Sequence, residues 1–239
     1  METRDKILQL VSEANPDNPQ EYVDSIIRPL MLEKINKNLV ACSVCKRCSR
    51  TRSLISGKPD ATVLLIGESV MEEQYYKFGD SVVSPYMGTS AQGYLYEVLN
   101  FYGFDMDQLM FANAVNCFCH EEIDGKIIGR VPDKEEEREC KKFLNYLIKA
   151  MNPVLVIFLG NIAMNMFHKG NIKKEHGKWI EANGIRAISV YSPDMMLMCK
   201  QNDPELYYVY EEELKTDFSK IVSMLNEEYS DFNIVQQKG

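Results

Sequence analysis

The sequence predicts an α/β protein built on a mostly parallel sheet. Four short, strongly apolar runs, residues 62–66, 110–115, 154–159 and 187–191, have the length of strands buried on both faces. Helix-like segments at residues 90–102, 134–151 and 161–167 fill the three gaps between them. Strands alternating with helices make βαβ units, whose crossovers are right-handed almost without exception. A chain of 239 residues is also long enough to bury one good core and still carry extensions.

Three parts follow along the chain. Residues 1–40 read as an N-terminal helical extension in two pieces, split by the turn signal Asn15-Pro16-Asp17-Asn18-Pro19. The second piece, residues 22–39, places Val23, Ile26, Ile27, Leu30, Met31 and Ile35 at near-helical spacing, so it should pack on the domain. Residues 41–200 form the main domain. Residues 201–239 hold an acidic amphipathic helix, about 205–226, and a tail that ends frayed, packed on the same domain. No repeat or low-complexity tract interrupts this plan.

Composition narrows the setting. The chain is 45% hydrophobic and 26% charged, ordinary for a globular protein, and no apolar run approaches a membrane span. Its start, Met-Glu-Thr-Arg-Asp-Lys, lacks the basic-then-apolar layout of a secretion signal, so a cytoplasmic, reducing location is expected. Seven cysteines, an odd number, then point to metal ligation rather than disulfides. A net charge of −8 argues against a broad electrostatic grip on nucleic acid. Residues 46–52 are nevertheless strongly basic, and read either as a phosphate contact or as a solvated turn.

Two sets of residues carry chemistry. Cys42 and Cys45 form a C-x2-C pair, and with Cys117 and Cys140 they make a candidate ligand set. Four thiolates suit a zinc ion or an iron–sulfur cluster, and the wide spacing would tie the start of the chain to the middle of the fold. In parallel sheets, ligands bind at the carboxyl ends of strands. Those ends carry Gly67-Glu68-Ser69, Asn113 with Asn116-Cys117, Gly160-Asn161, and Ser192-Pro193.

Together these segments resemble the iron–sulfur branch of the uracil-DNA glycosylase superfamily, from about Ala41 to Leu197. The family's C-x2-C pair, R-T stretch and strand ending in G-E-A-P-G are matched by Cys42-Ser-Val-Cys45, Arg50-Thr51 and Leu64-Leu-Ile-Gly67-Glu68-Ser69. Its P-F-x-G, T-N-x-V-K-C and R-x-P are matched by Pro85-Tyr86-Met-Gly88, Ala112-Asn113-Ala-Val-Asn-Cys117 and Arg130-Val-Pro132. Its helix with a fourth cysteine and its P-x-V-I-x-L-G-x-x-A correspond to Glu135-Glu-Glu-Arg-Glu-Cys140 and to residues 153–163.

The resemblance implies a three-layer α/β/α fold around a four-stranded, mostly parallel sheet. It also implies a [4Fe–4S] cluster on Cys42, Cys45, Cys117 and Cys140, with zinc as the alternative and Cys48 as a substitute ligand. Cys119 and Cys199 are left out of that set. Asn113 takes the family's uracil-reading position, Tyr86 stands where a phenylalanine stacks on the flipped base, and Gly67 and Ser69 complete the base-binding loop. Glu68 takes the catalytic carboxylate position. The implied partner is DNA containing uracil or a modified pyrimidine, met by a monomer with no membrane contact.

The pattern also breaks. The family's H-P motif after the last strand is Ser192-Pro193 here, and serine cannot carry positive charge. By analogy with lost oxyanion donors, this would cost about 3 kcal/mol of barrier. Ser69-Val70-Met71 replaces A-P-G, and the following residues 72–79 are unlike the usual short link. The expected function is therefore hydrolysis of an N-glycosidic bond to leave an abasic site, with altered or reduced activity. The alternative is an inactive nucleic-acid or nucleotide-binding module that keeps the fold and the cluster. Ser192 is the catalytic position in question.

Overall fold

The computed structural model describes residues 23–45 and 48–236, with the single positions Gln9 and Ser12. The first helical piece, the Asn15–Pro19 turn signal, the side chain of Cys48 and the end of the tail lie outside the described residues. The second piece of the extension starts as a π turn, Val23–Ile27, and becomes regular only at helix α1, Arg28–Ala41. Pro29 explains the break, because its missing N–H is harmless only in a first turn. Leu32, Ile35 and Leu39 of α1 then join the main core.

The four predicted strands appear as β3 (Val63–Ser69), β5 (Leu109–Val115), β8 (Leu155–Leu159) and β10 (Ile185–Val190). They pair in parallel in the order β5-β3-β8-β10. Every residue of β5 and β8 is buried, as expected for strands covered on both faces. Short antiparallel strands β2 (Ser56–Gly57) and β9 (Trp179–Ala182) extend the sheet at its two edges. A second sheet, ordered β4-β1-β6-β7, combines β1 (Cys48–Ser53), β4 (Val82–Val83), β6 (Cys117–Ile123) and β7 (Lys126–Gly129). These polar strands lack the apolar signal of the central four.

Helices α2 (Glu72–Phe78), α3 (Ser90–Phe101) and α4 (Lys134–Met151) connect the strands up to β8. Residues 72–79, read from sequence as a loop, are a helix ending at Gly79, whose φ is +61°. Buried Gln74 anchors it by donating to the carbonyls of Ser84 and Met87 (3.0 and 3.3 Å). The chain continues through α5 (Asn161–Asn165), α6 (Ile172–Glu175), α7 (Pro193–Asn202) and α8 (Pro204–Glu228). The result is a three-layer α/β/α architecture. Among the described residues, no helix is long and apolar enough to cross a membrane.

Candidate active site and metal centre

The parallel strands run outward from β3, first to β5 on one side and then to β8 on the other. That makes the carboxyl ends of β3 and β8 the switch point where such sheets bind ligands. Gly67 and Glu68 lie within β3 rather than after it, because the strand continues to Ser69, paired with Val115. Gly67 stands beside Asn113 in the register. A Cβ on Gly67 would lie 2.7 Å from both Asn113 Oδ1 and the Tyr86 hydroxyl, so only glycine lets these two side chains converge. Asn113 Nδ2 and the Tyr86 hydroxyl are both sealed from solvent and, among the described residues, have no hydrogen-bond partner. Each unmade bond of this kind costs about 1–3 kcal/mol, a cost that a bound polar edge would remove.

The backbone around Tyr86 is strained. Its φ is +60°, a left-handed conformation rare for a bulky residue and common at functional sites. Thr89 closes this turn by donating its backbone N–H and its hydroxyl to the Tyr86 carbonyl (3.0 and 2.7 Å). The Gln74 contacts with Ser84 and Met87 brace it from the other side. The helical segment 72–78 thus has a local task, which is to hold the turn that presents Tyr86.

Glu68 crosses the switch point. Its Oε1 accepts the backbone N–H of Ile162 at 2.9 Å, in the first turn of α5. Gly160, with φ +100°, makes room for it, since a Cβ there would lie 2.5 Å from Glu68 Oε1 and 2.9 Å from Ser192 Cβ. Burial pushes the Glu68 carboxyl up to about 7, helped by the charge of Asp194 and opposed by the N–H groups of Ile162 and Asn161. Burial also raises Asp194, whose Oδ1 is sealed and has no partner among the described residues. The Tyr86 phenol is pushed well above its usual range by burial, then by Asp194 and Glu68, so it stays protonated. Ser192 is buried, and its hydroxyl accepts the N–H of Met195 (3.3 Å) as the N-cap of α7. Ser69 is half-buried at the end of β3.

The four predicted ligand cysteines line a single cavity of about 520 Å³. Cys42 and Cys45 reach it from the loop after α1, Cys117 from the start of β6, and Cys140 from α4. Arg52 joins them. It faces Cys117 across the β1–β6 pairing, donates Nη1 to Cys117 Sγ (2.9 Å) and Nη2 to the Cys42 carbonyl (3.0 Å). Arg52 of the predicted basic patch is therefore turned inward rather than offered to solvent. The helix bearing Cys140 is held by a two-pronged ion pair, Arg130 to buried Glu136 (2.7 and 2.8 Å). Such a thiol-rich, arginine-capped cavity fits the soft donor chemistry of an iron–sulfur group. Among the described residues, no three His, Cys, Asp or Glu side chains close on one point suited to a single metal ion. Cys119 and Cys199 are buried elsewhere.

The sequence reading missed Asp194 and the inward turn of Arg52. Asp194 had one available signal, its place two residues after the last strand-end serine. The histidines have partners of their own: His120 stacks near Phe118 and Tyr75, His168 meets Glu175, and His176 meets Asp217 and packs on Tyr191, the residue after β10.

The family model described as the uracil DNA glycosylase superfamily matches residues 55–215. Cys117 and Cys140 fall inside that span, whereas Cys42 and Cys45 precede it. The chain is 25% identical over 182 residues to a protein of Thermotoga maritima named type-4 uracil-DNA glycosylase, covering 74% of this chain and 88% of that one.

Proposed function

The chain belongs to the uracil-DNA glycosylase superfamily, and from that membership we propose that it binds a flipped uracil or modified pyrimidine in DNA and hydrolyses its N-glycosidic bond, leaving an abasic site. The observation that carries this reading is the convergence of the Asn113 and Tyr86 side chains over Gly67, their Nδ2 and hydroxyl sealed and unpartnered among the described residues, beside the half-buried Glu68 carboxyl at the switch point. An enzyme that excises a base must lift it from the stack and read its edge. Asn113 can donate to and accept from a pyrimidine edge, while Tyr86, Gly67 and Ser69 enclose the base. Glu68 positions water, takes its proton and stabilises the developing oxocarbenium sugar. A value of about 7 is near the optimum for a general base at neutral pH.

Cys42, Cys45, Cys117 and Cys140 would hold a [4Fe–4S] cluster, a reading supported by the four-thiol donor set around one cavity. The cluster's contribution is mechanical: it joins the loop after α1, β6 and α4. Broad visible absorbance with about four irons per chain supports it, and stoichiometric zinc without iron overturns it.

One observation favours a second reading. Ser192 caps α7 through its hydroxyl oxygen, and although its O–H can still donate, it cannot carry the positive charge that the motif histidine would bring. A binding module without catalysis would tolerate that loss. Incubation with a uracil-containing single-stranded oligonucleotide, followed by alkali, separates the two. Scission that disappears in Glu68→Gln supports the glycosylase; tight binding without scission supports the module. Faster scission in Ser192→His would identify the missing electrophile as the cause of slow turnover.

A further inference from the structure

Positive charge gathers in one short stretch of this acidic chain. Residues 169–178 hold four lysines, Lys169, Lys173, Lys174 and Lys178, against one acid, Glu175, in a protein of net charge −8. All four lysines are exposed. Glu175 is taken up by Lys178 and His168, each at 3.2 Å. Lys169, Lys173 and Lys174 form no ion pair among the described residues; Lys169 donates to the Asn165 carbonyl (2.9 Å), and Lys173 stands 5.5 Å from the centre of the Tyr210 ring.

The backbone that carries them is fixed at several points. Asn165 of α5 clasps Gly170, donating Nδ2 to its carbonyl (3.1 Å) and accepting its N–H on Oδ1 (3.2 Å). Asn161 Oδ1 accepts the N–H of Ile172, and Asn171 Oδ1 that of Lys173, both at 3.0 Å. Ile172 is itself buried in the main core. A cationic segment ordered in advance loses little freedom when it binds.

The same contacts place the segment beside the strand-end cluster. Asn161, whose side chain holds Ile172, opens α5, and the N–H of the next residue, Ile162, binds Glu68 (2.9 Å). Gly177 donates its N–H to the Ser189 carbonyl near the end of β10 (2.9 Å). The lysines thus stand at the carboxyl ends of β8 and β10.

We propose that Lys169, Lys173 and Lys174 form a phosphate track, which holds the DNA backbone beside the nucleotide whose base enters at Asn113 and Glu68. The inference rests on the reading above that the substrate is DNA. Exposed ammonium groups on phosphodiester oxygens position a strand without reading its sequence. On a protein whose net charge repels DNA, a local cationic strip also selects the face that the strand meets.

Salt dependence tests this directly. Anisotropy of a labelled single-stranded oligonucleotide containing one uracil gives the plot of log affinity against log salt. Each lysine that releases a counterion contributes about 0.7 to its slope. Lys174→Gln should flatten the slope by about 0.7, and the triple change Lys169→Gln, Lys173→Gln and Lys174→Gln by about 2, with affinity at low salt falling about tenfold or more. Lys149→Gln removes an exposed charge near the end of α4, at the amino end of β8, and should leave the slope as it is. An unchanged slope in Lys174→Gln and in the triple variant overturns the inference. So does an equal loss in Lys149→Gln, which would make the effect one of net charge, or a parent protein that does not bind the oligonucleotide. A parent that excises uracil while these slopes stay unchanged keeps the glycosylase reading without the track. A parent that binds with a lysine-dependent slope and excises nothing keeps the track and loses that reading.

Discussion

The cysteine cavity and the strand-end cluster are built on opposite terms. Beside the cysteines two arginines are paired: Arg52 reaches Cys117 and the Cys42 carbonyl, and Arg130 grips Glu136. At the strand ends, Asn113, Tyr86 and Asp194 each carry a sealed, unpartnered polar atom, two carboxyls are raised by burial, and one backbone turn is strained. The first arrangement stabilises the fold. The second stores cost at one place, as sites shaped for a ligand commonly do. The two regions meet through β5 and β6, where Asn113 and Cys117 are only four residues apart.

Substitutions can break this contrast, and the largest effect should come at Glu68. Glu68→Gln should reduce excision by about 100-fold or more while raising stability in mildly alkaline solution. The sign follows from the shift. The folded carboxyl titrates at about 7 against an ordinary 4.5, so its favourable contribution is complete below 4.5 and is lost as pH rises through 7. Urea unfolding should show the parent protein losing up to about 3 kcal/mol across that window, with the loss absent in Glu68→Gln.

Arg52→Gln addresses the other region. Removal of an outer-shell partner typically weakens metal binding about 10- to 100-fold, so iron content and visible absorbance should fall. Excision per iron-loaded molecule should hold steady. A large drop in that specific rate would erase the division between brace and working site.

Gly67→Ala forces a Cβ to 2.7 Å from Asn113 Oδ1 and the Tyr86 hydroxyl. Chemical denaturation should show a loss of about 1–3 kcal/mol, and excision should fall further than stability explains. Ser192→Ala should cost least, about 1 kcal/mol from the lost cap. An excision rate that falls along with it by more than tenfold would restore Ser192 to the chemistry.

Much of this molecule was legible in order along the chain. The four apolar runs identify the central strands because burial on both faces demands continuous apolar sequence. The motif series singled out Glu68, Tyr86, Asn113 and the four cysteines, which the fold gathers at the strand ends and around one cavity. The polar strands β1, β6, β7 and β9 were hidden, because edge and exposed strands carry charges that resemble loops. Residues 72–78 were hidden as well, since the helix depends on Gln74 reaching carbonyls ten and more residues away.

What the sequence determined by itself is therefore the alternation of strands and helices and the roster of soft and acidic groups. Only the tertiary structure decided their partners. It turned Arg52 from a basic patch toward Cys117, because pairing in the second sheet sets those residues opposite each other. It brought Asp194 into the field of Glu68, because β3, β8 and β10 end side by side and the helix after β10 starts over Gly160. Charge and burial act through space, and separation along the chain does not record them.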